Sequence, residues 1–227
     1  MTRLQRPGLV LIDLDGTLID SLPDIREAAN RMLADLDQAP LSSRRISEFV
    51  GNGIDRMVHR CLTRDLEGEA GAEAFSRARK LFLKHYAFHN GRHSRLYPGV
   101  LEGLDKLRDA SIKLACITNK ATAFSEQLLR HFDIRGCFAA LVAGDTLAVQ
   151  KPHPRPLLHA AQLLGMGVSQ TMMVGDSVHD VAAARAAGMP VVAVSYGYNH
   201  GQDISAAGPD AVIDRLDQLV DLFAPRV

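Results

Sequence analysis

Two carboxylates, separated by one residue, follow an apolar run near the amino end of the chain. The run occupies residues 9–12, and Asp13 and Asp15 come directly after it. Four consecutive apolar residues are typical of a strand buried on both faces, and Gly16 allows a sharp turn after the acids. Because open α/β sheets carry their active sites at the carboxyl ends of strands, we expect both acids there. Their mutual repulsion indicates a bound cation, although both could simply cap the next helix.

Two further segments carry polar groups beside predicted strands. Thr118 and Asn119 follow the strand predicted at 112–117. A hydroxyl and free backbone N–H groups ahead of a helix are suited to phosphate oxygens, although the pair could be an ordinary helix N-cap. Lys151 precedes Pro152 in a loop between a predicted strand and helix. Its ammonium could neutralise an anion at the sheet edge, or it could be solvated.

A second pair of acids follows the strand predicted at 171–174. Asp176 stands after Gly175, and Asp180 lies four residues further along, on the first turn of the next helix. Carboxylate oxygens that face one point form the hard site that Mg²⁺ prefers, although acids at a helix N-terminus stabilise the helix without a metal. The nine histidines show no convincing ligand spacing, so zinc is not expected.

These segments resemble the four signature motifs of the haloacid dehalogenase superfamily, whose hydrolases use an aspartate nucleophile. The run DLDGTLIDS at 13–21 matches the first motif, D-x-D-G-T-L-x-D-S, at every specified position. Thr118 stands at the second motif, KPHP at 151–154 matches the third, and GDSVHD at 175–180 matches the fourth. All the motifs occur in the expected order.

The resemblance implies a two-step phosphoryl transfer. Asp13 would attack phosphorus to form an aspartyl-phosphate, and Asp15 would protonate the leaving alkoxide and later take a proton from water. Lys151 and Thr118 would stabilise the phosphoryl oxygens. Since an alkoxide needs a proton and a halide does not, Asp15 favours a phosphatase over a dehalogenase. The resemblance also implies Mg²⁺ as the cofactor, with the ligands Asp13, the Asp15 carbonyl, Asp176 and, in support, Asp180.

The elements that must position these residues alternate between strands and helices after residue 96. Strands are predicted at 9–12, 112–117, 138–142, 171–174, 191–194 and 211–213, and helices at 100–110, 121–132, 154–164, 178–187 and 216–223. This alternation implies an α/β fold with a parallel sheet and helices on both faces. We therefore expect the Rossmann-like core of the superfamily.

A purely helical block interrupts this core after its first strand. Helices are predicted from residue 20 or 21 to 36 and at 42–49, 54–62 and 70–88. The resemblance identifies the block as an inserted helical C1 cap. We therefore assign 1–18 and 93–227 to the catalytic core and 19–92 to the cap domain. Hinges near 17–21 and 91–97 would let the cap close over the site, although a static subdomain is the alternative.

Composition restricts the class of protein further. A chain of 227 residues with 47% hydrophobic content suits one α/β domain with an insertion. The formal net charge of zero gives no reason to expect a nucleic-acid partner. Three cysteines without a C-x-x-C pair indicate neither a disulfide framework nor a thiolate zinc site, and no segment has the length of a membrane span. We expect a cytoplasmic monomer or homodimer.

Three further segments, FVGNG, KPHPRPLL and SYGYNHG, resemble the corresponding segments of bacterial 2-phosphoglycolate phosphatases. The similarity to these enzymes extends over nearly the whole chain. This implies hydrolysis of a small phosphorylated metabolite, 2-phosphoglycolate, to glycolate and phosphate. Alternatives are a phosphosugar mutase, another small-metabolite phosphatase or, less favoured, a catalytically silent binding or regulatory protein, because function depends on cap contacts more than on the fold. The expected substrate-binding residues are Asn119, Gly51, Asn52, Gly53 and Arg56.

Overall fold

Six parallel strands form the central sheet of the protein, which we describe over residues 4–224 from a computed structural model. In chain order the strands are β1 (Leu9–Ile12), β2 (Ile19–Asp20), β3 (Arg95–Leu96), β4 (Lys113–Ile117), β5 (Ala140–Val142), β6 (Thr171–Gly175), β7 (Val191–Val194) and β8 (Ala211–Ile213). The order in the sheet is β5-β4-β1-β6-β7-β8, so β1 lies between β4 and β6. All residues of β1 are fully buried, which explains its uninterrupted apolar sequence.

Helices cover both faces of this sheet. The helices of the chain are α1 (Leu22–Ala34), α2 (Ser43–Phe49), α3 (Gly53–Thr63), α4 (Ala72–His89), α5 (Val100–Asp109), α6 (Thr122–His131), α7 (Arg155–Leu163) and α8 (Val178–Ala187). Side chains of β1 alternate between the faces, so Val10 and Ile12 pack with α5 and α6, and Leu9 and Leu11 pack with α7 and α8. The predicted α/β fold is therefore confirmed.

Helices α1 to α4 pack around an apolar cluster of their own. Its largest side chains include Phe49, Phe82 and Tyr86, none of which is more than 1% exposed. Helices α1 and α4 lie against each other along this cluster. The helical block that the sequence predicts is thus present. Within residues 4–224, no helix combines the length and the apolar character needed to cross a bilayer.

Two short strands join the helical block to the sheet. β2 and β3 pair antiparallel, with Ile19 opposite Leu96. The sequence gives no indication of this pair, because two residues are too few to show a strand period. Close by, the segment 91–94 folds onto the first turn of α1. The fully buried carboxylate of Asp24 accepts the backbone N–H groups of Gly91, His93 and Ser94, each at 2.9 Å.

Several predicted boundaries differ from the structure. The strand predicted at 138–142 begins at Ala140, because residues 135–137 form a turn of 3₁₀-helix ahead of it. The helix predicted at 216–223 is a 3₁₀-helix over Leu216–Leu222. Helix α1 begins at Leu22 and ends at Ala34, not at 36. Its N-cap residue, Ser21, makes no side-chain capping bond, because its hydroxyl donates to Asp15.

Replacing Asp24 with asparagine should lower the free energy of unfolding by about 3 kcal/mol, because the variant loses the charge that several buried donors share. Equilibrium urea unfolding measures this change. Asp109→Asn is the matched control, since the Asp109 side chain is 77% exposed, and its effect should stay within about 0.5 kcal/mol. An Asp24 variant as stable as the control would show that this carboxylate does not hold the 91–94 segment.

Candidate active site

The register of the sheet brings three of the predicted site residues to one edge. Ile12, the last residue of β1, lies opposite Cys116 of β4 and Val174 of β6. The next residue, Asp13, donates its N–H to the carbonyl of Val174 at 2.9 Å. Asp13, Thr118 and Asp176 therefore lie at neighbouring strand ends, and all three line one cleft.

Lys151 joins this edge from the loop after β5. Its Nζ lies 2.7 Å from Asp13 Oδ1 and 2.7 Å from Asp180 Oδ1, and it donates to the carbonyl of Ile117 at 2.8 Å. These contacts use all the N–H donors that an ammonium has. Burial alone would lower the pKa of Lys151, but the attraction of the two carboxylates is larger in sum and holds it above its ordinary value. The side chain is therefore a fixed cation.

Three carboxylates surround this single ammonium. Oxygen atoms of Asp13, Asp176 and Asp180 all lie within 4.8 Å of one another. Burial raises the pKa of Asp13, and it raises the pKa of Asp176 to about 7, with repulsion between the carboxylates adding to both shifts. One ammonium does not balance three negative charges, so the cluster has the hard oxygen donors and the excess charge that suit a divalent cation such as Mg²⁺.

Asp180 also caps helix α8. Its Oδ2 accepts the Ser177 N–H at 3.1 Å and the Ser177 hydroxyl at 2.7 Å, while Oδ1 faces Lys151. Asp180 therefore both caps the helix and belongs to the charged cluster, with one oxygen for each contact. The cap fixes the rotamer that aims the second oxygen at the site.

Neighbouring groups pack closely around the Asp176 carboxylate and hold it in place. The N–H of Tyr198 donates to Asp176 Oδ2 at 2.7 Å, and the Thr17 hydroxyl donates to Oδ1 at 3.3 Å. A Cβ atom at Gly16 or Gly197 would overlap this carboxylate. The chain needs glycine at both positions, and at Gly16 the φ of +88° adds a second reason.

Asp15 pairs with a residue that the sequence analysis missed. Lys120 Nζ lies 2.8 Å and 2.9 Å from the two carboxylate oxygens of Asp15, and the Ser21 hydroxyl also donates to Asp15. Lys120 is only 7% exposed. Burial alone would lower the pKa of Lys120. The contributions of Asp15 and Tyr86 together are larger than this effect and raise the pKa above its ordinary value. Lys120 directly follows Thr118 and Asn119 in the sequence, and this position is the signal by which it could have been predicted as a site residue.

The expected substrate-binding residues separate into two groups. Gly51, Gly53 and Asn119 line the cleft. The Asn119 amide donates to the carbonyls of Gly51 and Lys151, both at 2.9 Å, and so connects the α2–α3 loop to the sheet edge. Asn52 and Arg56 do not line it.

The two remaining side chains instead hold parts of the helical block. Asn52 Oδ1 accepts a hydrogen bond from the guanidinium of Arg60 at 2.9 Å. Arg56 donates to the carbonyl of Leu66 and to the carboxylate of Glu67, both at 2.8 Å. The guanidinium of Arg56 is therefore engaged by the loop after α3.

The cleft lies between the sheet edge and helices α1 to α4 and is partly open to solvent. Its floor carries Asp13, Asp15, Lys120, Lys151 and Asp176. Its other wall is largely apolar and comes from the helical block, namely Ile25, Val50, Ile54, Met57, Phe82 and Tyr86. A small polar ligand would thus react on a charged surface under an apolar cover, which excludes water and strengthens electrostatic interactions.

Tyr198 connects the acidic cluster to the start of α1. Besides the bond from its N–H to Asp176, its phenol oxygen accepts the N–H groups of Ser21 at 2.8 Å and Leu22 at 2.9 Å and donates to Asp20 at 2.9 Å. The phenol oxygen thereby acts as a cap for the N-terminus of α1. Sequence spacing gives no signal for this contact, because the partners lie 177 residues apart.

A parallel sheet with a buried Asp-Lys-Asp constellation at its edge, beneath a helical cover, is the arrangement typical of hydrolases of the haloacid dehalogenase type. The sequence model of the haloacid dehalogenase-like hydrolases matches residues 10–194. The chain belongs to this family, and the resemblance predicted from its motifs is confirmed.

Particular relatives cover almost the whole chain. A protein of Nitrosococcus oceani named phosphoglycolate phosphatase is 42% identical, over 97% of this chain and 98% of its own. A plasmid-encoded phosphoglycolate phosphatase of Cupriavidus necator is 46% identical, over 95% of this chain and 93% of its own. A crystal structure from Haemophilus somnus, described as a predicted phosphoglycolate phosphatase, superposes with a TM-score of 0.91 at 32% identity, covering 96% of this chain and 99% of the other.

Gly197→Ala should destabilise the protein by about 1–3 kcal/mol, because the added methyl group forces Asp176 or the Tyr198 loop to move. Thermal unfolding followed by circular dichroism measures the loss. Gly136→Ala is the control, since a Cβ there meets nothing within 4 Å. Equal melting temperatures for the two variants would contradict the close packing of the Tyr198 loop on Asp176.

Proposed function

We propose that the protein is a phosphoric monoester hydrolase that converts 2-phosphoglycolate to glycolate and phosphate. The observation that carries this proposal is the convergence of Asp13, Lys151, Asp176 and Asp180 at one sheet edge. The family membership supports the reaction type. The substrate is supported by relatives at 42% and 46% identity that bear the name phosphoglycolate phosphatase.

In this proposal Asp13 is the nucleophile. Its Oδ1 is bound by Lys151, which leaves Oδ2 as the oxygen that attacks phosphorus. The new bond joins Oδ2 to phosphorus while the bond from phosphorus to the glycolate oxygen breaks. Asp15 acts from its protonated form: it gives its proton to that leaving oxygen, and the proton it then takes from the water that hydrolyses the aspartyl-phosphate restores this form.

Thr118 and Lys151 complete the phosphoryl site. Thr118 lines the cleft at the end of β4, where its hydroxyl can donate to a phosphoryl oxygen. Lys151 holds Asp13 in place and lowers the repulsion between a carboxylate and an incoming dianion. Two unit charges 4 Å apart attract by about 4 kcal/mol at an effective dielectric constant of 20, which shows how much one fixed ammonium contributes.

The proposal includes Mg²⁺ as the cofactor. Asp13, Asp176 and the carbonyl of Asp15 would hold it, with Asp180 in support, and it would supply positive charge that stabilises the phosphoryl group during transfer. We also retain the assignment of 1–18 and 93–227 to the catalytic core and of 19–92 to a cap that closes over the cleft. A cytoplasmic location and a monomeric or dimeric state belong to the same proposal.

Release of inorganic phosphate from a panel of small phosphate esters tests the activity. We expect the highest kcat/KM with 2-phosphoglycolate, and glycolate as the second product. Asp13→Asn should lower the rate by at least about 10⁴-fold, because an amide does not attack phosphorus. A mutase would return an isomeric phosphate in place of free phosphate. Wild-type rates in Asp13→Asn would remove Asp13 from the mechanism.

Mg²⁺ should both activate and stabilise the protein. At about 100 times its dissociation constant, a bound ion adds about 2.7 kcal/mol, which raises Tm by roughly 5–10 °C in a chain of this size. Differential scanning fluorimetry of chelator-treated protein measures this shift. Asp176→Asn should abolish it. Full activity in rigorously metal-free buffer would exclude the metal from the mechanism.

A further inference from the structure

Lys120 is a cation of the cleft with spare hydrogen-bonding capacity. It lines the cleft at the edge of the sheet, and its Nζ donates to the two oxygens of Asp15 at 2.8 Å and 2.9 Å. An ammonium carries three N–H donors. Asp15 therefore uses two of them, and the third is available on a cation that lies beside Tyr86.

Tyr86 presents an unpartnered hydroxyl to the same region. Its ring belongs to α4, is 1% exposed and lines the cleft, with Lys120 Nζ 4.9 Å from the ring centroid. Its hydroxyl is buried and has no hydrogen-bond partner within residues 4–224. A buried hydroxyl without a partner is costly, so the position points to a polar group that binds there.

The other basic side chains considered for the site, Lys151 and Arg56, already have other partners. The ammonium of Lys151 already bonds to Asp13, Asp180 and the Ile117 carbonyl. The guanidinium of Arg56 faces the loop after α3. Because the wall formed by α1, α3 and α4 is otherwise apolar, a carboxylate that entered the cleft would need a cation to offset its desolvation.

The position of Lys120 also matches the chemistry of the substrate. Asp15, its partner, is the residue assigned to protonate the leaving oxygen. In 2-phosphoglycolate that oxygen is bonded to a methylene carbon, and the carboxylate is the next group. A cation adjacent to Asp15 therefore lies where the carboxylate must be when phosphorus faces Asp13.

We propose that Lys120 and Tyr86 form the carboxylate subsite of the enzyme, with the ammonium of Lys120 and the hydroxyl of Tyr86 donating to the carboxylate oxygens. The inference rests on the proposed function, because it deepens the assignment of 2-phosphoglycolate as substrate. Lys120 thus takes the place of Arg56, the basic residue that the sequence predicts for substrate binding. One donor comes from the sheet edge and the other from α4, so the substrate is bound from both sides of the cleft.

This subsite selects against esters that lack the carboxylate. Such esters leave the Tyr86 hydroxyl unpaired and place an apolar group beside the Lys120 ammonium. Sites built to hydrogen-bond a substrate group reject analogues without that group far more strongly than apolar pockets discriminate by size. Ethyl phosphate, which has a methyl group in place of the carboxylate, is the matched probe.

The test compares kcat/KM for 2-phosphoglycolate with kcat/KM for ethyl phosphate, in the holoenzyme with Mg²⁺. Tyr86→Phe keeps the ring that packs in the α1–α4 cluster and removes only an unpartnered hydroxyl, so the fold is retained. We expect the ratio to fall about tenfold, mainly through KM for 2-phosphoglycolate, because one hydrogen bond to a charged group is lost. Tyr97→Phe, a tyrosine outside the cleft, should leave the ratio at its wild-type value.

Lys120→Met supplies the second measurement. Both rates should fall, since Asp15 loses its partner, but the ratio should fall further than in Tyr86→Phe, by about 100-fold. A ratio within twofold of wild type in Tyr86→Phe overturns the two-residue subsite. Equal losses on both esters in Lys120→Met also overturn it, because Lys120 would then act through Asp15 alone.

The proposed function fails separately from this subsite. If the wild-type enzyme turns over another phosphate ester better than 2-phosphoglycolate, the substrate assignment is wrong, and the wild-type screen shows this before any variant is made. If the wild type prefers 2-phosphoglycolate and the ratio does not change in Tyr86→Phe, the substrate assignment stands and the subsite is wrong.

Discussion

The contact of one buried ammonium with two carboxylates organises the functional edge of this protein. Lys151 bonds to Asp13 and Asp180, which come from different segments of the chain, and to the carbonyl of Ile117 at the end of β4. Removing one partner of such a buried pair leaves an uncompensated charge, which is strongly destabilising. The position of the nucleophile proposed here is therefore set by the same interaction that keeps the charges of the site in balance.

The remaining negative charge explains the rest of the architecture. Asp176 is packed closely against the backbone at Gly16 and Gly197, and hydrogen bonds from Thr17 and Tyr198 hold its carboxylate near Asp13 and Asp180. Carboxylates held this close repel one another, and a bound divalent cation lowers that repulsion. The excess negative charge at the sheet edge thus favours the binding of a cation, which is the basis of the proposed Mg²⁺ site.

Much of this edge could be predicted from the sequence, for a simple geometric reason. Parallel strands place their carboxyl ends together, so Asp13, Thr118 and Asp176 converge once three buried apolar runs are recognised. Motif resemblance added Lys151 and Asp180, which reach the edge from a loop and from the first turn of α8. The paired roles of Asp180 also follow from its position three residues after Ser177.

The apolar wall of the cleft was less predictable, because it depends on how α1 to α4 pack. The sequence predicts Arg56 as a substrate-binding residue, yet its guanidinium faces the loop at 66–69. Nothing in local spacing shows that Tyr86 of α4 lines the cleft beside Lys120. Tyr198 and Asp24 act across large sequence separations, which no short pattern encodes.

The four hydrogen bonds of Tyr198 affect how the helical block can move relative to the sheet edge. Its backbone N–H binds Asp176 of the acidic cluster, and its phenol oxygen binds the first N–H groups of α1. A rotation of the helical block about this point would have to break these bonds or move the loop that holds Asp176. In the proposed enzyme, opening of the cap and weakening of the metal site would therefore be coupled through this one tyrosine.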